Sequence, residues 1–585
     1  TPEERAKDLL SRMTLKEKIG QINITRGVEF HVNSLADGNT CTVEADDTFL
    51  PEKFDEYVGD YGIGYLHDIY SVPAIKNRMQ KRLVEGTRLG IPAIFTGEAL
   101  HGIAWRGASI FPVPLTLSQS FDPDLVRQVG DGIAAETRAL GHQEILAPNL
   151  DVARDPRWGR TEETFGEDTY LSSEMAVAII SGEQKGDISR PDAIITEPKH
   201  YCVHGIAEDG TNCAHARAGR REVESCYLPV FEAGIKEGGA YNVMVSYNAV
   251  DGDPLMCSQW YLKDVLKERF GLKGYSRSDW GGVGRLCGVF HMVPTPKDAI
   301  GLAMRNGLDV QGCDYEPAFW KKTVIELVQE GGLPMARLDD IVSRVLRVKM
   351  ELGLFENPYT DEKAWENVIR CEKHREIAYE TAKESVVLLK NNGVLPLKKD
   401  ISSIALIGPS SAAQKIGGYS SIPQFPIPSV YEELKKALGD EVTVRQCSGC
   451  AITPDQAGPR IVDGQPHLYA DAEEDLVDEI DEAVAIAKDC EVIVVVGGDN
   501  TVTSGEGRDR CELTLAGRQW EMIEKLSSLG KPLVLVLENG KPLDISRESE
   551  VCDGVMMTFF CGEAGAVAIV DALLGKFSPA GRLPI

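Results

Sequence analysis

At 585 residues the chain is too long for one ordinary domain, and even a large barrel leaves about 200 residues over, so two domains with cores of their own are expected. Hydrophobic residues make up 43% and charged residues 26%, the balance of a soluble globular protein. A net charge of -28 repels phosphate backbones and anionic lipid, and no apolar run approaches the roughly 18 residues of a spanning helix, which excludes nucleic acid and membranes as partners and leaves a small neutral substrate unaffected.

The chain opens on Thr1-Pro2-Glu3-Glu4-Arg5, with no start methionine, basic segment or apolar signal core. Any targeting peptide is therefore cleaved or absent, and secreted, periplasmic and cytoplasmic locations stay open. Strand-length apolar runs then follow at 91–96, 193–196, 242–247, 274–279 and 308–311. Each carries polar residues at its C-terminal end and alternates with amphipathic stretches such as 124–139 and 260–269. That is the rhythm of a barrel of parallel strands with function at the strand ends.

An amphipathic helix over 342–354 runs into Gly353-Leu354-Phe355-Glu356-Asn357-Pro358, where the proline and the polar residues after it mark a boundary. The expected division is an N-terminal barrel over 1–357, a linker over 358–385 that includes a charged helix at 372–384, and a second domain over 386–585. In that second part, apolar runs at 386–391, 404–407, 492–496, 533–536 and 554–560 alternate with helical stretches at 471–487 and 516–529. A mostly parallel sheet covered by helices is expected there. The end, Ala580-Gly581-Arg582-Leu583-Pro584-Ile585, stops as an apolar segment begins and reads as a cut end with a further domain missing, or as a folded terminus.

The fourteen cysteines are diluted over a long chain and form no small-scaffold disulfide framework. Cys447-Ser448-Gly449-Cys450 has the spacing of a redox or metal pair, but no second pair follows it. Reduced thiols or a local bridge are the expectation, with no metal and no cofactor.

Two carboxylates stand out. Asp279 ends a run in Ser278-Asp279-Trp280-Gly281-Gly282, and Glu506 lies far downstream in Ser504-Gly505-Glu506-Gly507-Arg508-Asp509-Arg510. One sits beside an aromatic ring and the other among arginines, both on glycine-flanked loops, which suits a reaction needing one ionised and one protonated acid. Bland alternatives exist for each: a helix N-cap for Asp279, and a loop charge paired with Arg508 or Arg510 for Glu506.

Several motifs coincide in order: Thr96-Gly97-Glu98-Ala99-Leu100-His101-Gly102, then the stretch from Ala147 to Arg160 containing Asp151-Val152-Ala153-Arg154-Asp155-Pro156-Arg157-Trp158-Gly159-Arg160, then Lys199-His200-Tyr201, Ser246-Tyr247-Asn248, Ser278-Asp279-Trp280 and the Glu506 loop. In this order the chain resembles glycoside hydrolase family 3 over essentially its whole length. The resemblance implies an α/β protein: an N-terminal (β/α)8 barrel of the TIM type followed by an α/β sandwich domain with a mostly parallel sheet. It also implies a retaining exo-β-glycosidase in which Asp279 is the nucleophile and Glu506 the general acid/base. Glu98, Arg160, Lys199 and His200 are then expected to bind the sugar hydroxyls, with Tyr247 and Trp280 as the apolar floor and wall. Alternatives stay in view: Arg160 paired with Glu162, Glu163 or Glu167, His200 and Trp280 as plain core, and a sugar-binding protein that keeps the scaffold without the chemistry. Asp151, Arg154, Asp155 and Arg157 are given scaffold roles, and His101 is expected to orient Glu98.

The resemblance also bears on the sugar. Many β-glucosidases of the family carry Asp where this chain has Glu98, and the extra methylene intrudes on the space of a hydroxymethyl group, favouring a pentopyranose. Against this, many of the family's xylosidases have Cys after the nucleophile, where this chain has Trp280. β-Xylosidase is therefore placed first, with β-glucosidase or dual activity as the alternative. The β-N-acetylglucosaminidase branch carries a Lys-His-Phe-Pro-Gly-like sequence with a catalytic His after it; here Lys199-His200 continues as Tyr201-Cys202-Val203-His204-Gly205. Outer subsites are assigned to loops near 30–53 and 451–467, and oligomeric state is not readable.

Overall fold

The computed structural model describes residues 1–31, 35–37, 40–42, 49–420, 423–453, 461–462, 465–466 and 478–585. Most of the two loops assigned to outer subsites lies outside the described residues, as does the stretch 471–477 of the helix expected over 471–487.

The N-terminal half is a ring of short parallel strands: β1 (Ile24–Arg26), β2 (Tyr65–His67), β3 (Ile94–Gly97), β4 (Glu144–Ile145), β5 (Ile195–Thr196), β6 (Val243–Val245) and β7 (Ser276–Ser278). β1 to β5 pair in sequence order, and β6 pairs with β7. A bridge between Tyr201 and Val245, with Met244 N–H donating to Pro198 O at 3.0 Å, joins the β5 side to β6. Residues 308–311, expected as a strand, contribute single bridges: Val310 to Arg277 and Gln311 to Asn23. The eighth position thus closes the ring between β7 and β1. β1, β2 and β4 are two or three residues long, carry Arg26, His67 and Glu144, and were not among the runs expected as strands.

The second half builds a six-stranded sheet from β8 (Val387–Asn391), β9 (Ser403–Ile407), β10 (Thr443–Cys447), β11 (Val492–Gly498), β12 (Leu533–Glu538) and β13 (Gly554–Met557), in the order β8-β13-β12-β11-β9-β10. All neighbours are parallel except β8, which runs antiparallel to β13 at the edge. Alternate residues of β9 and β11 enter two different cores: Ile404, Leu406, Val494 and Val496 pack on one face, and Ala405, Ile407, Ile493 and Val495 on the other. Burial of both faces is why these strands read as continuous apolar runs. β10 was not expected; its Thr-Val-Arg-Gln-Cys pattern is that of a half-exposed edge strand.

The segment expected as a linker carries the helix Glu372–Glu384, which packs on the barrel helix Pro123–Ala139 and on Gly565–Leu573 of the second domain. His374 Nδ1 lies 2.7 Å from Glu136 Oε1 and Arg370 Nε lies 3.1 Å from Glu563 Oε2, so polar contacts clamp the segment to both halves.

Beneath the C-terminal mouth of the barrel, the interior is charged. Arg277 is fully buried, its Nη2 2.6 Å from Glu144 Oε2 and its Nη1 2.9 Å from Glu197 Oε2. Glu144 also accepts from Tyr275 Oη and Asn242 Nδ2 at 2.6 Å and from Thr96 Oγ1 at 2.9 Å. Arg277 and Asp279 are two residues apart on one strand and so share its inward face. Burial, against the attraction of Arg277, pushes Glu197 up to about 8. Replacing Arg277 by Met leaves the buried Glu144 carboxylate without its cation and Glu197 without its partner, and the expected cost is about 3–5 kcal/mol, read as a lowered urea midpoint with unchanged slope.

Candidate active site

A cavity of about 850 Å³ opens over the C-terminal ends of the barrel strands, and all eight residues singled out in the sequence line it: Glu98, Arg160, Lys199, His200, Tyr247, Asp279, Trp280 and Glu506. Glu98 follows β3, Lys199 and His200 follow β5, Tyr247 follows β6 and Asp279 follows β7. Glu506 alone comes from the second domain, on the loop after β11.

That loop is fastened to the barrel through its backbone. Gly505 N–H donates to Gly159 O at 2.8 Å and Arg510 N–H to Arg157 O at 3.0 Å. Asp509 accepts from Gly159 N–H at 2.8 Å and from Asn212 N–H at 2.7 Å. The loops touch so closely that a Cβ on Gly159 would collide with the Gly505 carbonyl, and Gly505 and Gly507 hold φ of +122° and +67°, which only glycine adopts freely. The local pairing considered for Glu506 is not found with Arg510, whose Nη1 lies 3.3 Å from Asp499 Oδ1. Instead, Glu506 Oε1 accepts from Arg160 Nη1 at 3.0 Å and Oε2 from Tyr419 Oη at 2.6 Å.

Arg160 is 1% exposed and its Nε and Nη2 each donate to Glu163 at 2.8 Å, so Glu163 is the structural partner and Glu506 the one that faces the cavity. Lys199 Nζ lies 3.2 Å from Glu98 Oε2, and its ammonium stands 4.9 Å from the centre of the Tyr419 ring. His200 is buried between two acids, with Nδ1 2.8 Å from Asp151 Oδ2 and Nε2 3.4 Å from Asp279 Oδ2. Burial and then Arg160 hold it well below the usual histidine range, so it is neutral. Asp151, given a scaffold role with its neighbours, thus directly orients a cavity residue, whereas Arg157 and Asp155 form a bidentate pair at 2.9 and 2.6 Å away from it.

Asp279 is held stiffly: Oδ1 accepts from Trp280 N–H at 2.7 Å, and its carbonyl accepts from Gly282 N–H at 2.9 Å. Asp314 bonds the hydroxyl of Ser278 and accepts from Val283 N–H at 2.5 Å, fixing the turn on both sides. Burial, opposed by Arg160 and Lys199 and aided by Glu506, pushes Asp279 up to about 6. Tyr247 is buried beside Asp279 and Glu506, while Trp280 is 36% exposed, its ring edge-on to His67 at 5.0 Å.

His101 does not orient Glu98. The turn closed by Ala104 N–H to Glu98 O carries it to the domain interface, where Nδ1 lies 2.6 Å from Phe111 O and Nε2 lies 2.8 Å from Gly418 O and 3.0 Å from Ser420 Oγ. It therefore braces the loop that presents Tyr419. Cys447 and Cys450 form no disulfide and lie in the second domain, Cys447 Sγ 3.6 Å from Glu479 Oε2. Among the described residues no group of three or more His, Cys, Asp or Glu could hold a metal ion. No helix among them is long and apolar enough to cross a membrane.

Sequence reading missed Arg26, His67 and Asp68, which line the same cavity from the ends of β1 and β2. Asp68 Oδ2 lies 2.9 Å from Arg26 Nε and its Oδ1 2.9 Å from His67 Nε2; although burial opposes it, these two hold Asp68 below the usual carboxylate range. Their signal was present: Tyr65-Leu66-His67-Asp68 is a short apolar run ending in polar residues, like the strands that were recognised. Tyr419 had no such signal, because it reaches the cavity only through the packing of one domain on the other.

Residues 14–348 match the family model described as glycosyl hydrolase family 3 N terminal domain, and residues 386–585 the corresponding C-terminal domain. The chain is 34% identical over 605 residues to a periplasmic beta-glucosidase of Salmonella typhimurium, covering 100% of this chain and 74% of that one. It is 32% identical over 518 residues to a beta-xylosidase of Formosa agariphila, covering 85% and 69%. A solved β-glucosidase from Erythrobacter marinus superposes with a TM-score of 0.87 at 32% identity, covering 100% of this chain and 78% of that one. With both domains matched and relatives aligned along its length, the chain belongs to glycoside hydrolase family 3 and is a hydrolase of glycosidic bonds.

Proposed function

We propose that this protein is a retaining exo-β-glycosidase that releases a terminal non-reducing sugar, with β-D-xylose first in preference. Asp279 attacks the anomeric carbon, Glu506 protonates the departing oxygen, and the same Glu506 then takes a proton from the water that hydrolyses the glycosyl ester. Glu98, Arg160, Lys199 and His200 hold the sugar hydroxyls, and Tyr247 and Trp280 pack on its C–H face. The observation that carries this reading is that two carboxylates from different domains, one rigid at a barrel strand end and one on the loop clamped above it, line a single sugar-sized cavity.

Electrostatics supports the division of roles. Arg160 and Lys199 both draw Asp279 toward its ionised form against burial, so at neutral pH it is available as a nucleophile. Glu506 sits on the more accessible loop, where solvent can return its proton between steps.

Glu98 supports xylose as the sugar, because its longer side chain, drawn to Lys199, occupies wall space that a hydroxymethyl group would need. β-D-Glucosidase or dual activity is the second reading, favoured by Trp280 at the mouth and by the β-glucosidases among the similar proteins.

A panel of nitrophenyl β-glycosides tests class and sugar together, and no hydrolysis of any member would favour a sugar-binding protein instead. Asp279→Ala is expected to lower kcat by roughly 10⁴-fold or more, with azide restoring part of the turnover and giving the inverted glycosyl azide. A variant with ordinary turnover would remove Asp279 from the mechanism. Because Asp279 must be ionised to attack and is pushed up to about 6, kcat/KM should fall as the pH drops through about 6, not near the value of about 4 for an ordinary aspartate. Glu98→Asp is expected to move the glucoside-to-xyloside ratio of kcat/KM toward glucose by about tenfold, the scale of one methylene in a pocket; an unchanged ratio would overturn the sugar assignment.

A further inference from the structure

Tyr419 stands on a loop of the second domain that is braced from the barrel on both sides. Gly418 O lies 2.8 Å from His101 Nε2, and Gly418 N–H donates to Glu162 Oε1 at 3.0 Å. The ring faces the Lys199 ammonium at 4.9 Å and the Arg160 guanidinium at 5.8 Å, and its hydroxyl points at Glu506. With Arg160 on Oε1 and Tyr419 on Oε2, both oxygens of Glu506 accept from cavity donors. Donors of this kind favour a carboxylate over a carboxylic acid. An acid catalyst needs the opposite state at the moment it protonates a leaving group.

We propose that Tyr419, together with Arg160, is a latch on Glu506 that a sugar ring opens by drawing the two donors to its own hydroxyls, so that substrate binding is coupled to uptake of a proton by Glu506. This rests on the reading of Glu506 as the general acid/base. The proton taken up passes to the aglycone oxygen as the glycosidic bond breaks and Asp279 forms the glycosyl ester. Glu506, again a carboxylate, then takes a proton from the attacking water as the ester is cleaved, and returns it to solvent when the product leaves and the latch closes.

Among the described residues, the charged and titratable groups that act on Glu506 include Arg160, Asp279, Tyr247, His204, Cys213 and Tyr419. His204 is held down to about 3 by burial and Arg160, and Cys213 is pushed up to about 12 by burial, so neither changes charge near neutrality. Arg160 is fixed by Glu163 and serves several partners, which leaves the Tyr419 hydroxyl as the member that can be removed alone.

The test is Tyr419→Phe, which keeps the ring over Lys199 and deletes only the donor. The basic limb of kcat/KM, which reports the essential acid before substrate binds, is expected to move up by about one pH unit, the scale of one hydrogen bond to a charged group. The basic limb of kcat should move less, because the latch is already open in the complex. Binding of 4-nitrophenyl 1-thio-β-D-xyloside, or of the glucoside if that is the sugar hydrolysed, is measured by calorimetry at pH 7 in phosphate and in Tris. The native protein should take up a substantial fraction of a proton per ligand and Tyr419→Phe distinctly less. A buffer-independent heat in the native protein overturns the proposal even if the variant does not fold, and so does an unmoved kcat/KM limb in a folded variant. Glu506→Gln separates this from the underlying reading: as acid/base, it should lose activity on alkyl glycosides far more than on 2,4-dinitrophenyl glycosides, whose leaving group needs no proton. If that contrast is missing, the role of Glu506 fails; if it is present while Tyr419→Phe moves nothing, only the latch fails.

Discussion

The constraint on which the site depends is the backbone seam between residues 157–160 of the barrel and 505–510 of the second domain. Two main-chain hydrogen bonds and the Asp509 carboxylate, which takes one N–H from each of two barrel loops, fix the place of Glu506 over the strand ends. Main-chain bonds carry no rotamer freedom, so they hold an interdomain loop more tightly than a pair of long charged side chains on the surface could. Three glycines make the approach possible, and any side chain at Gly159 would force the seam apart. Two carboxylates from different domains can share one cavity only through such a contact, since neither domain alone presents both.

Charge is concentrated inside this molecule as well as on its surface, and it is arranged in layers. At the bottom, Arg277 lies between Glu144 and Glu197 within the barrel; above it, Arg160 and Lys199 face Glu98, Glu163, Asp279 and Glu506 around the cavity. In the lower layer Glu144 is fixed by hydrogen bonds from Tyr275, Asn242 and Thr96. In the upper layer the donors are shared among acids whose surroundings differ, and difference of surroundings lets two carboxylates adopt opposite protonation states at one pH. The rigid lower layer keeps the inward face of β7, and with it Asp279, from drifting as those protons move.

Much of this was legible in the chain. Continuous apolar runs revealed the buried strands of the second sheet, and a short apolar run ending in Lys199-His200 or Asp279-Trp280 marked a barrel strand with its site residue. The same pattern in Tyr65-Leu66-His67-Asp68 went unread, although its strand is as long as β6 and β7. The helix Glu372–Glu384 was expected with its observed limits, but its role as a clamp between the two halves depends on Glu136 and Asp571, which are far away in sequence. His101 was assigned to the wrong neighbour for a related reason: proximity along the chain suggested Glu98, whereas the turn delivers it to Gly418 and Ser420.

By itself, then, the order of residues pointed to the eight side chains that line the cavity, because strand ends, glycine-flanked loops and their motifs are local properties of the chain. It also determined the two-domain α/β architecture, through the period and length of its apolar runs. Only the tertiary structure decided which donors Glu506 has, that Asp151 holds His200 against Asp279, that Tyr419 belongs to the cavity, and how burial weighs against Arg160 and Lys199 in setting the charge of Asp279. Those are properties of distance and desolvation between segments tens to hundreds of residues apart, and no local pattern encodes them.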